Sequence, residues 1–290
     1  MATRYWTNSA GDGSISNASN WSPSGAPAAS DVLVFAEGTA AVVGGDYTAL
    51  GAMAEIRIGS GFVASFGSAT AYVEIESDDV VLDSSGTVYL DVDCNTATSS
   101  VVVLGGKNGT TFLYLRGDIQ ELRVVGGNGT IWAQAATEFS TGSGYTEIDS
   151  IVVSSANRVV LTIDGNVSSN DTISIDAGSI ESECAVGTLS VYGGTFQQDG
   201  SGAITTANIY GNGYADFRGT GNITTLSLSS GTAHFRSNES DGVTVTNATI
   251  NGGLLDLSTS LRNITFTNNI SSNGGTILPP LGSTITVTYS

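Results

Sequence analysis

Between residues 186 and 270 the chain repeats one short apolar–polar pattern with almost no filler. Its anchors are Val186-Gly-Thr-Leu-Ser-Val191, Ile204-Thr-Thr-Ala-Asn-Ile209, Ile223-Thr-Thr-Leu-Ser-Leu228 and Val245-Thr-Asn-Ala-Thr-Ile250. Each has an aliphatic residue at both ends, with small or hydroxylated residues and a third apolar position between. From Val191 the closing aliphatics recur after 18, 19, 22 and 20 residues, ending at Ile270. A fixed period near 20 residues marks a solenoid, in which each turn buries its apolar side only by stacking on its neighbours. The units are strand-like, because β-branched residues alternate and are punctuated by Gly, Asn and Ser. The pattern therefore predicts an all-β parallel β-helix, right-handed because parallel crossovers overwhelmingly are.

Followed toward the N-terminus, the same register picks out Met53-Ala-Glu-Ile-Arg-Ile58, Ile119-Gln-Glu-Leu-Arg-Val124 and Ile148-Asp-Ser-Ile-Val-Val153. Less regular copies surround Val81, Val101 and Ile173. Successive steps from Ile58 to Val191 are 24, 22, 20, 29, 22 and 16 residues, and the step of 29 places an inserted loop at residues 136–145. Roughly eleven coils result. No stretch of useful length carries a helical period. The expected organisation is an N-terminal cap at residues 1–40, a parallel β-helix at 41–277 and a C-terminal closing segment at 278–290, in one structural domain.

A second strand in each coil fixes an inside and an outside. Ala233-His234-Phe235 aligns with Phe196-Gln197-Gln198, Ala215-Asp216-Phe217 and Leu255-Asp256-Leu257. Alternation sends Ala233, Phe235, Phe217, Leu255 and Leu257 inward and the middle residues outward. Gln197, Asp216, His234 and Asp256 then form one outward column. His234 is the single histidine, and two carboxylates one strand spacing away make Asp216, His234 and Asp256 a candidate metal column. The plainer reading is a solvated ladder in which the imidazole relieves repulsion between two aspartates, and no metal or other cofactor is expected.

Composition narrows the function classes. The 290 residues hold 38 Gly but only 4 Pro, and 40% are hydrophobic, which is too many for a disordered chain. Formal charge is −18 with a single lysine, Lys107. Such a surface repels phosphates and anionic lipid, so neither nucleic acid nor membrane is an expected partner, whereas a basic partner surface or a neutral glycan remains compatible. Cys94 and Cys184 fall about four coils apart, at about 4.8 Å per coil, which is beyond disulfide reach. They are expected as free, inward-facing thiols. The start Met-Ala-Thr-Arg-Tyr-Trp has no signal-peptide core, so synthesis in a cytoplasm is expected.

Other chemistry-bearing stretches are weaker. Asp78-Asp79 and Asp91/Asp93 are the densest acidic spots, and paired acids on one sheet face would suit polysaccharide cleavage. No basic residue lies within ten positions of them, although a neighbouring coil could supply Arg57 or Arg116. Aromatic residues are thin and scattered along the chain, which argues against a sugar-stacking groove and for solvated turn acids. Gly105-Gly106-Lys107-Asn-Gly109 and Gly126-Gly127-Asn-Gly129 precede no helix and read as turns.

The first 35 residues depart from the repeat: Arg4-Tyr5-Trp6, then Asn20-Trp21-Ser-Pro23, then Asp31-Val-Leu-Val-Phe35. Large aromatics laid across the end of a solenoid would close its core and strand edges. This opening resembles that of many bacteriophage structural proteins and is similar to the cap of passenger-type β-helices. The resemblance implies a non-enzymatic virion component at the virion surface, a capsid decoration or spike protein. Its partners would be other virion proteins and copies of itself, a homotrimer being favoured by analogy. The alternative is a tailspike-like protein that binds or depolymerises a host surface glycan. Tyr5, Trp6, Trp21 and Phe35 at the start, with Pro279, Pro280 and Tyr289 at the end, are the candidate cap and interface residues.

Overall fold

A computed structural model describes residues 1–94, 96–107, 110–133, 147–155, 159–163, 170–236, 242–260, 263–268, 270–280 and 287–289. The chain is all-β, with 57% of residues in strands and about ten turns of parallel β-solenoid, close to the eleven counted from the repeat. Two short 3-10 turns, Ala18–Asn20 and Thr48–Leu50, are the helical elements among the described residues. The inserted loop expected at residues 136–145 lies outside the described residues. The chain divides into two compact units, Met1–Ile148 with Ser155–Val159, and Asp149–Ser154 with Val160–Ser290.

In the first unit two rows of parallel strands stack coil on coil. One row runs Val32–Gly38, Met53–Phe62, Val73–Leu82, Ser100–Val103 and Asp118–Val124. The other runs Gly45–Asp46, the first half of Val73–Leu82, Val88–Asp93, Thr111–Arg116 and Gly129–Ala133. The alternating residues Val73, Ile75, Val88, Leu90, Val92, Leu113 and Leu115 are all buried in the core between the rows. Gly117 turns the corner from Thr111–Arg116 into Asp118–Val124 at φ +115°, and a Cβ there would lie 1.9 Å from the Val92 carbonyl oxygen of the previous coil. Only glycine fits such an approach.

The first unit begins with a closed end. Thr3–Trp6 lies between Val32–Gly38, which it pairs in parallel, and the two-residue strand Trp21–Ser22, which it pairs antiparallel. The coil register thus already includes Val32–Gly38, inside the segment expected as cap. Trp6, Trp21 and Phe35 pack with centroids 5.2–5.4 Å apart, and Phe35 continues onto Phe62 and Phe66 at 5.9 and 5.0 Å. Trp21 Nε1 donates to the Ile15 carbonyl at 2.7 Å. Asp31 ties the segment down, accepting from Ala2 N at 2.6 Å and Arg4 Nε at 2.7 Å. Burial works against the charge of Asp31, yet the Arg4 and backbone donors hold its carboxyl below the usual range.

The second unit is the regular one. One row runs Asn170–Ala177, Val186–Val191, Ile204–Ile209, Ile223–Leu228, Val243–Ile250, Ile264–Phe266 and Val287–Tyr289. The second row runs Ser179–Ser182, Thr195–Gln198, Tyr214–Phe217, Thr232–Phe235, Leu254–Asp256 and Thr276–Leu278. Ala233, Phe235, Phe217, Leu255 and Leu257 are buried, on the side that alternation assigns them. Gly194, Gly231, Gly253 and Gly275 recur at one turn with φ between +71° and +81°, and a Cβ at each would fall within 3 Å of backbone in the coil before. The period of the repeat is therefore set by stacking of these turns as much as by the strands.

Candidate functional site

The register of the first unit builds two parallel columns on the outward side of its second row. Val73 pairs Leu90, Tyr89 pairs Tyr114, and Tyr114 pairs Trp132. Tyr72, one residue before Val73, meets Tyr89 edge-on at 5.6 Å. Tyr89 and Tyr114 stack at 4.6 Å with 7° between planes, and Tyr114 meets Trp132 at 6.0 Å. Trp132 is 37% exposed. Two residues further along each strand the partners are Asp46, Glu74, Asp91 and Arg116 in order. An aromatic column thus runs beside a column of acids that ends in arginine.

Asp91 is the unusual member. It is only 9% exposed, and its Oδ2 atom makes no hydrogen bond. Arg116 is its cross-strand neighbour, yet Nε of Arg116 is also buried without a partner, and the guanidinium lies 3.8 Å above the Tyr72 ring. That cation–π contact draws the positive charge toward the ring and away from an ion pair with Asp91. Burial pushes the Asp91 carboxyl up to about 6, with Arg116 pulling down and Asp93 pushing up less strongly. Burial also raises Tyr72 to about 12. Glu74 is raised by burial and by Asp46 and Asp91, and Asp93 by burial and by Asp118 and Glu76. The acids singled out in the sequence occupy strands and not turns; Asp78 and Asp93 are exposed, as solvated acids would be, whereas Asp79 is half-buried and Asp91 buried.

Asp79 has a structural task, accepting from the backbone N–H and hydroxyl of Ser100 at 3.1 and 2.9 Å. Asp78 joins Glu76, Asp93, Ser77, Ala52 and Thr96 around a cavity of about 80 Å³. Neither cysteine is in a disulfide and both are buried. Burial pushes the Cys94 thiol up to about 12, so it is not poised as a nucleophile.

In the second unit the expected column forms: Gln197 pairs Asp216, Asp216 pairs His234, and His234 pairs Asp256. It is not a solvated ladder, however. Asp216 is 1% exposed and His234 8%. Asp216 Oδ2 accepts from Arg218 Nε at 2.7 Å and from Arg236, while Oδ1 is buried without a hydrogen bond. His234 Nδ1 bonds the Tyr214 hydroxyl at 2.8 Å and Nε2 the Thr259 hydroxyl at 2.5 Å, while both aspartates stand off at 3.9 Å. Burial opposes the charge of Asp256, but the Ser258 hydroxyl and N–H, with His234, hold its carboxyl below the usual range. Among the described residues no group of three or more His, Cys, Asp or Glu is placed to hold a metal ion.

Of the terminal candidates, Trp6, Trp21 and Phe35 are core, whereas Tyr5 is 51% exposed. Pro279 and Pro280 follow the strand Thr276–Leu278, Pro279 exposed and Pro280 half-buried. The backbone of Tyr289 lies in Val287–Tyr289, and its side chain is outside the description. The aromatics are not scattered in space, which corrects the sequence reading. The signal was present: Tyr72-Val73-Glu74, Tyr89-Leu90-Asp91 and Tyr114-Leu115-Arg116 repeat aromatic, aliphatic, charged. It escaped because residues 53–124 offer their repeat most visibly through the other row. No described helix is long and apolar enough to cross a membrane. No family model matches the chain, and no curated protein or solved structure matches it either.

Proposed function

We propose that this protein is a non-enzymatic structural component at the surface of a phage virion, a capsid decoration or spike that works as a rigid scaffold. The observation that supports this reading is the closed N-terminal end. The segment that carries the resemblance, Arg4-Tyr5-Trp6 through Phe35, is the one whose Trp6, Trp21 and Phe35 plug the core. A plugged end with a two-residue edge strand leaves little backbone for adventitious strand addition. That suits a part displayed at high density beside copies of itself. Other virion proteins are the proposed partners, and a homotrimer the proposed assembly, by analogy with fibres and spikes.

Mass spectrometry of gradient-purified particles from the source of this sequence, with gold-labelled antibody against the purified protein, tests it. The expected result is co-purification at stoichiometric level with label on the particle surface. Particles lacking the chain would overturn the reading. A second reading, a protein that binds a host glycan, is favoured by the aromatic and acid columns of the first unit.

A further inference from the structure

We propose that Tyr89, Tyr114 and Trp132, together with Asp91 and Arg116, form a binding strip for a neutral polysaccharide chain. The inference rests on the second reading above and deepens it; it does not depend on where the protein resides. Three observations carry it.

The first is the unmet hydrogen-bonding capacity of Asp91 and Arg116. A buried carboxylate oxygen and a buried guanidinium N–H sit on adjacent strands, each without a partner. Leaving such atoms unpaired is costly, and folded proteins do so seldom. Both atoms lie just beneath the surface, so a sugar chain reaches them as the side chains above part: one O–H then donates to Asp91 Oδ2, and a neighbouring oxygen accepts from Arg116 Nε. Tyr72 fixes the guanidinium from beneath at 3.8 Å, so the donor is held in place before any ligand arrives.

The second is the aromatic column beside them. Its rings step by 4.6 and 6.0 Å from Tyr89 to Trp132, following the coil spacing. An extended hexose chain advances by a similar distance per residue. A glycan laid along the column therefore keeps one register over several coils, meeting the edges and hydroxyls of Tyr89 and Tyr114, whose faces are taken up by their mutual stack, and the exposed ring of Trp132.

The third is charge. Asp46, Glu74, Glu76, Asp93 and Asp118 crowd the strip, and among the described residues Arg116 is the one cation in its columns. Uronate, sulfate and phosphate groups are repelled by such a face. The charge excludes anionic polymers, and the hydroxyl-matching pair beside the rings suits a neutral one.

The second unit supplies a control. Tyr192 and Tyr210 stack at 4.9 Å with 11° between planes, and Tyr192 is 48% exposed. If exposed stacked tyrosine alone retained glycans, that pair would serve as well.

Native gels of the full chain, cast with hydroxyethyl cellulose, xyloglucan, galactomannan or dextran, and in parallel with polygalacturonate or hyaluronan, test the assignment. We expect retardation by at least one neutral polymer and none by the anionic ones. Trp132→Ala and Tyr114→Ala should each weaken it about tenfold, as loss of a central aromatic contact does. Asp91→Asn, which preserves shape, should weaken it measurably while the protein stays folded by circular dichroism. Tyr192→Ala should bind as the parent does. Absence of retardation in every neutral gel, stronger retardation by the anionic polymers, or equal loss in Tyr192→Ala would each overturn the proposal. None of these outcomes bears on whether the chain is found in particles.

Discussion

Asp91 in the first unit and Asp216 in the second occupy the same kind of position, the outward middle of a short parallel strand, and both are buried. Their surroundings differ. Asp216 has two arginines on one oxygen, with Arg218 from its own strand end and Arg236 from the next coil. Asp91 has one, and that guanidinium lies over Tyr72. Each carboxylate keeps one buried oxygen without a hydrogen bond, Oδ1 in Asp216 and Oδ2 in Asp91, so what separates them is charge: two close cations make Asp216 a structural knot, whereas the single cation beside Asp91 lies over a ring. Outward direction in a solenoid therefore says little about chemistry. What decides it is whether neighbouring coils supply enough opposite charge to close over the group.

The largest effect should come from opening the knot. Arg218→Ala with Arg236→Ala strips Asp216, which is 1% exposed in the parent, of its two cations. Removing the partners of a buried charge costs about 3–5 kcal/mol, and urea unfolding would show it as a lower midpoint at unchanged slope. Asp216→Ala should cost less, because both arginines are more than a third exposed and can turn to water. If the double arginine variant were no worse than Asp216→Ala, the two columns would not differ in the way argued.

The second test has the opposite sign. Asp91 is raised from 3.8 to about 6 in the fold, so between those values the folded chain holds a proton that the unfolded chain has lost. Its contribution to stability is complete below the unfolded value and is lost as pH rises through 6. The parent should therefore be more stable near pH 4.5 than at pH 7.5, to the extent that this group dominates. Asp91→Asn removes the ionisation and should stabilise the protein at pH 7.5 by about 1–3 kcal/mol, at about 1.4 kcal/mol per unit. Urea midpoints at the two pH values for parent and variant check both statements. A variant less stable than the parent at pH 7.5 would mean that Asp91 is well paired after all.

Much of the fold was readable in advance because a solenoid writes its geometry into its period. The pairing of Asp216 with His234 and Asp256 followed from the alternation of Ala233 and Phe235 with Phe217, Leu255 and Leu257. Depth was not readable. Alternation tells which side a residue faces, whereas burial of Asp216 depends on Arg218 and Arg236 folding back over it from two coils. The aromatic strip lay between these cases. Tyr72, Tyr89, Tyr114 and Trp132 are separated by 17, 25 and 18 residues. Irregular loops between the coils hide the column until strand register removes them.

The smallest expected effect marks the other limit of the comparison, a carboxylate and a cation on one strand in open water. Glu55 and Arg57 lie two apart on Met53–Phe62, with Nε to Oε1 at 2.5 Å and Nη2 to Oε2 at 2.7 Å. Glu121 and Arg123 stand at the same spacing on Asp118–Val124, where Nη2 alone donates to both carboxylate oxygens at 2.9 and 3.0 Å. The Glu55–Arg57 contact is forked, and both pairs are about as close as Arg218 is to Asp216. The arginine side chains, however, are 58% and 50% exposed. Water screens the attraction and competes for both partners, so exposed pairs contribute about 0–1 kcal/mol. Glu55→Gln should change the urea midpoint by no more than about 0.5 kcal/mol in free-energy terms, and Glu121→Gln likewise. Similar distances would then give effects differing by severalfold, and desolvation, not contact geometry, would be what separates a knot from a surface pair.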